Sequence, residues 1–144
     1  MQKIFPHLTY AGAIPFVFSA LCLVIGVTQL PLLGPVEQVL SVYALVISTF
    51  LTGVHWGQHL HINEDRWGVI LPILSNALAV LLWIGFLTLS FNMLVAMFIA
   101  AFILLLVIDH RMYRADLISR HYFRTRIIVS SIVIASLIIS GIFS

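Results

Sequence analysis

Every lysine and arginine of this chain lies before the first, after the second or after the fourth of five long apolar runs. The runs are residues 10–30, 36–58, 67–89, 91–108 and 126–144. Each is close to the roughly 20 residues a helix needs to cross the hydrocarbon core of a bilayer. In lipid, backbone N–H and C=O groups find no water, so such a run must satisfy them internally as a helix. Pro31, Gly34 and Pro35 punctuate the first break, Asn63-Glu64-Asp65-Arg66 the second and Ser90-Phe91-Asn92 the third. The stretch from Asp109 to Arg126 is the longest polar one. If the runs alternate across a membrane, one face holds Lys3, Arg66, Arg111, Arg114, Arg120, Arg124 and Arg126, all seven basic residues, and the other face holds none. Basic residues collect on the cytoplasmic side. The expectation is an all-α integral membrane protein with five transmembrane helices in a single domain, N-terminus cytoplasmic and C-terminus outside.

Composition excludes the soluble alternative. A chain of 144 residues that is 62% hydrophobic and 8% charged has too little interior to hide its apolar surface from water. The first run is longer than a signal-peptide core, and Leu21 before the sole cysteine, Cys22, does not suit a lipoprotein cleavage site. The run therefore reads as a retained span, and a single cysteine excludes an intrachain disulfide. No nucleic-acid partner is expected; the partner is the bilayer.

The second run carries the most polar pattern. At 100° per residue, Glu37, Ser41, Ser48, Thr52, His55 and His59 fall within an arc of roughly 60°. Gly53 and Gly57 lie nearly opposite, at the small-xxx-small spacing that lets helices approach closely. Asn76, deep in the third run, needs a partner, and Ser48 or Thr52 across the helix interface is the expected one. Two outcomes are open for the stripe. Its hydroxyls can bond back to their own helix, with the histidines in the headgroup region, or the stripe can line a hydrated proton or small-ion path ending on Glu37 and His55.

Three of the six histidines crowd into Gly53–His61. His55 and His59, one turn apart, could share a metal ion, with His61, Glu64, Asp65, Asp109 or His110 completing the set. Bis-histidine haem would pair His55 with His110. No cysteine joins such a set, and no cofactor is predicted. No nucleophile elbow, phosphate loop or two-metal carboxylate set is present either. The arginines at 111, 114, 120, 124 and 126 serve either to set topology or to hold an anionic lipid.

Ala11-Gly-Ala-Ile-Pro-Phe16, Tyr43 followed by Phe50-Leu-Thr-Gly-Val-His-Trp-Gly57, and Tyr122-Phe-Arg-Thr-Arg126 resemble elements of a family of small, uncharacterised multispan membrane proteins that includes transmembrane protein 69. The resemblance covers essentially the whole chain. Family members tend to carry two adjacent glycines before the histidine, and Thr52 here takes the first place. The resemblance implies a bacterial inner-membrane or mitochondrial address and picks out Pro15, Gly53, His55, Trp56, Gly57 and Arg124. It implies no activity. The expected function is that of a non-enzymatic accessory or assembly subunit, or a small homo-oligomer. The alternatives are the proton or ion path along the second helix and a redox, quinone- or haem-associated subunit.

Overall fold

The computed structural model describes residues 5–58, 65–116 and 118–143, with side chains for all of these except 5–9, 55, 56, 58 and 65–68. Five helices make up the fold: α1 Phe5–Val24, α2 Val36–Gln58, α3 Asp65–Thr88, α4 Phe91–Arg114 and α5 Arg120–Phe143. Among the described residues, α2 to α5 contain stretches long and apolar enough to cross a membrane, and α1 contributes a shorter apolar stretch, Tyr10–Val24. Large apolar side chains such as Phe18, Val46, Phe50, Leu81, Trp83 and Ile142 face outward on these helices, which is tenable in hydrocarbon and not in water. The protein is a helical membrane protein.

Two boundaries differ from the sequence expectation. The first helix stops at Val24 instead of reaching Leu30. Gly26 takes a left-handed φ of 88°, and residues Gln29–Leu30 (β1) then pair antiparallel with Gly34–Pro35 (β2). Leu32 (φ 69°) and Gly34 (φ 96°) turn this small hairpin, leaving Leu32 and Leu33 exposed at its tip.

The second difference concerns the polar stretch from 109 to 126, which is mostly helix. Helix α4 runs on to Arg114 and α5 begins at Arg120. The turn between them uses Asp116 at φ 60°, a conformation aspartate tolerates better than most residues. Ser119 caps α5 by accepting a hydrogen bond from the Tyr122 N–H at 3.1 Å.

Helices α1, α2, α4 and α5 form a ring in which each packs on the next, and α3 lies outside it, against α2 and more lightly against α4. The core is continuous through the ring and includes Phe16, Leu40, Phe98, Phe102, Leu105, Val133 and Leu137. Phe16 meets Tyr43 at 5.1 Å and Phe102 at 5.9 Å between ring centres, both edge-on. These geometries suit aromatic quadrupoles and fix α1 against α2 and α4. The Tyr43 hydroxyl also donates to the Gly12 carbonyl at 2.8 Å. Pro15 lies three residues later in α1 and lacks the N–H that would bond the Ala11 carbonyl. The tyrosine bond ties α1 to α2 one residue beyond that missing bond.

Candidate functional site

Extending α4 and α5 toward each other brings two charges into the bundle. Asp109 sits 5 residues before the end of α4, and Arg126 sits 6 residues after the start of α5, about 8 and 9 Å inward at 1.5 Å per residue. Arg126 Nε donates to Asp109 Oδ2 at 3.0 Å, with the two side chains 4% and 0% exposed. A charge of either sign buried alone here would be costly, so each carries the other into the interior. Leu71, Ile108 and Met112 form a separate buried apolar cluster with Ile118 packed on it.

The pair leaves something over. Among the described residues, the buried Nη2 of Arg126 and the buried Oγ of Ser130 have no hydrogen-bond partner. Both residues are among those lining a cavity of about 440 Å³ between the helices of the ring, with the outward-facing Phe50 at its edge. Its lining includes Gly12 and Phe16 of α1, Ile47, Phe50, Leu51 and Val54 of α2, and Phe102 of α4. Tyr122, Val129 and Val133 of α5 belong to it as well. The site is thus a largely apolar cavity whose lining includes two residues, Arg126 and Ser130, each with a buried unpartnered polar atom. The residues come from all three segments singled out in the sequence, around Pro15, Gly53 and Arg124.

The polar stripe of α2 faces elsewhere. Ser41, Ser48 and Thr52 are buried and Glu37 is half-buried, but none of the four lines the cavity. Each hydroxyl donates one turn back along its own helix: Ser41 to the Glu37 carbonyl at 2.8 Å, Ser48 to Ala44 at 2.6 Å and Thr52 to Ser48 at 2.7 Å. The expected bond from Asn76 to Ser48 or Thr52 is not made. Asn76 is exposed on α3, and its Nδ2 donates to the Pro72 carbonyl at 2.9 Å. The wheel places residues on a face of their own helix; it does not say which neighbour that face meets.

Among the described residues nothing comes within 4 Å of a Cβ built on Gly53 or Gly57. At Gly85 an added Cβ would overlap Met97 Sδ, a side chain lying over the glycine across the α3–α4 contact. Pro15 is half-buried in α1. His55 and Trp56 lie in α2, but their side chains, and the whole of His59, are outside the described residues. The metal expectation at His55 and His59 falls there too. Among the described residues no group of three or more His, Cys, Asp or Glu side chains could hold a metal. His110 is exposed on α4, its ring 5.6 Å from that of Phe123.

Of the five arginines grouped in the sequence, Arg111, Arg114, Arg120 and Arg124 are exposed. Arg126 is not; it is the buried member of the ion pair. Arg120 and Arg124 border a shallow groove of about 640 Å³ floored by Ile127 and Ile128. Its wall is the Tyr113–Phe123 stack, with ring centres 4.9 Å apart.

Sequence reasoning missed Asp109, Arg126 and Ser130 as members of one site. A signal was there: Arg126, Val129, Ser130 and Val133 fall on one helical face of the run 126–144.

A family model described as Protein of unknown function (DUF3429) matches residues 1–142. The chain belongs to this family. No curated protein and no solved structure matches the chain significantly. The DUF3429 description names no activity, so for this member of the family the functional argument rests on the cavity and on the buried Arg126 and Ser130 in its lining.

Proposed function

We propose that this DUF3429 protein is a five-span, non-enzymatic accessory subunit or small homo-oligomer of the bacterial inner membrane that holds an amphiphilic molecule inside its helix ring. The observation that carries this is an apolar cavity of about 440 Å³ lined in part by Arg126 and Ser130, each of which has a buried polar atom, Nη2 and Oγ, without a partner among the described residues. Buried donors without acceptors cost free energy, and pockets of this composition, apolar with a few placed polar groups, are the usual form of small-ligand sites. Support for five spans with the N-terminus cytoplasmic comes from the one-sided basic residues and from the packing of α1 beside α5. The likeness to transmembrane protein 69 agrees with such an address. Anionic headgroups belong, in this reading, to the groove beside Arg120 and Arg124.

Native mass spectrometry of the full chain in mild detergent tests the proposal. One retained amphiphile per chain is expected, and it should be lost in Gly12→Leu, because Gly12 lines the cavity and nothing stands within 4 Å of a Cβ there. A wild-type protein that carries nothing, or an adduct unchanged by Gly12→Leu, would overturn it. Purification as a solitary monodisperse monomer would count against the accessory and oligomeric roles.

A further inference from the structure

Resting on the homo-oligomeric reading above and not on the cavity, we infer that α3 closes a two-fold dimer against α3 of a second copy, with the two Asn76 amides hydrogen-bonded to each other at its centre. Asn76 lies 7 residues inside Val69 and 12 short of Thr88 in the apolar stretch of α3, about 10 and 18 Å from its ends at 1.5 Å per residue. The residue is exposed there, at a depth where no water meets a polar group on a lipid-facing helix. A carboxamide has two N–H donors and an oxygen with two lone pairs. Among the described residues its one hydrogen bond runs from Nδ2 to the Pro72 carbonyl at 2.9 Å. That leaves a second N–H and Oδ1, and an unmet amide in hydrocarbon is costly.

The surface around the amide is spaced for another helix. Val69, Ile73, Val80, Trp83 and Leu87 stand with Asn76 at alternating steps of four and three residues, the spacing of a coiled-coil seam. Those five side chains are between 51% and 64% exposed. On the opposite side of α3, Leu71, Ser75, Leu78 and Leu82 are buried toward the bundle. Exposed apolar side chains alone are ordinary next to lipid; an amide at the centre of the seam is not. A second copy of the chain supplies what the amide lacks. Copies inserted under the same charge rule point the same way, so a two-fold axis along the membrane normal sets two α3 helices parallel and brings Asn76 to Asn76 at equal depth. With a positive N–H edge and a negative oxygen, the amide is its own electrostatic complement across such an axis, each Nδ2 donating to the other Oδ1. Because α3 lies outside the ring of the other four helices, the seam is open to that approach.

Full chains carrying donor or acceptor dyes, mixed in zwitterionic liposomes over a range of protein-to-lipid ratios, report the dimer by energy transfer. Wild-type transfer should rise with density and saturate. Asn76→Leu should weaken the dimer about ten- to hundredfold, the loss of two interhelical hydrogen bonds. A second measurement keeps the amide. In a Cys22→Ala background, Ile73→Cys or Val80→Cys should cross-link into dimers on mild oxidation. Leu74→Cys and Leu81→Cys, exposed as well but off the seam, should not. Dimers indifferent to Asn76→Leu, or cross-linked through Leu81→Cys and not through Val80→Cys, would overturn this inference and leave the homo-oligomeric reading standing. A wild type that shows no transfer at any density, with no cross-link at any of the four positions, would overturn both.

Discussion

Replacing Asp109 by asparagine removes one charge and almost no volume. Arg126 then keeps its place in the bundle, 4% exposed, with an amide where its counter-charge stood. Two unit charges about 4 Å apart attract by about 4 kcal/mol at an effective dielectric near 20, and breaking a buried pair by removing one member costs about 3–5 kcal/mol in proteins where it has been measured. An amide oxygen can still accept from Nε, which recovers part of a hydrogen bond, so a loss of about 3 kcal/mol is expected for Asp109→Asn. The double variant Asp109→Leu/Arg126→Met removes both charges and keeps the bulk. By the same reasoning it should fall within about 1 kcal/mol of the wild type, because the desolvation cost disappears with the attraction. Equilibrium unfolding by sodium dodecyl sulfate in mixed micelles, arranged as a double-mutant cycle, measures both. Two results would refute the reasoning. If Asp109→Asn is neutral, Arg126 is reached by water and is not a buried charge. If the double variant is as unstable as the single one, the cost comes from lost packing and not from the unpaired ion. The double variant also separates fold from binding: it should remain folded while changing one polar residue of the cavity lining.

Other perturbations bear on the packing around the site. Gly85→Leu should cost about 1–3 kcal/mol through overpacking, and Met97→Ala should restore most of it in the same unfolding assay, since Met97 Sδ occupies the space a Cβ would take. Tyr43→Phe deletes the 2.8 Å bond to the Gly12 carbonyl; a loss of about 0.5–1.5 kcal/mol is expected, with the larger part of the α1–α2 contact retained. Alkaline phosphatase fused after residue 144 should be active, and fused within the α4–α5 turn inactive; the reverse pattern would invert the topology and leave the basic residues unexplained.

What could be read from the sequence follows from what lipid demands. Long apolar runs must be helical, so the five helices were visible, as was the tendency of Ser41, Ser48 and Thr52 to face inward together. Contacts between helices were not, because periodicity contains no information about the neighbour. Asn76 illustrates this: its depth called for a partner, and the one it uses is the Pro72 carbonyl of its own helix. Asp109 and Arg126 illustrate the other failure. Taken singly, a charged residue at the edge of an apolar run marks the end of a span. Taken together, 17 residues apart, they extend two helices into each other's reach, and only the pairing makes the extension affordable. At Gly53 and Gly57 the spacing is compatible with close approach, yet no described atom comes within 4 Å of an added Cβ; at Gly85, outside any such spacing, the Met97 side chain fills that space.

The short turn between α4 and α5 bears on how the protein is made. Charged side chains well inside a membrane helix raise the cost of its entry into lipid by about 2.5–3.5 kcal/mol each at the helix centre, and by less toward its ends. Asp109 belongs to one helix and Arg126 to the next, so either helix released alone would carry an unmatched ion. The turn, confined to residues between Arg114 and Arg120, is short enough for the second helix to meet the first as it leaves the ribosome. Helices α4 and α5 therefore make most sense as a single insertion unit, a hairpin neutralised before it enters the bilayer, onto which α1 closes from the side of α5.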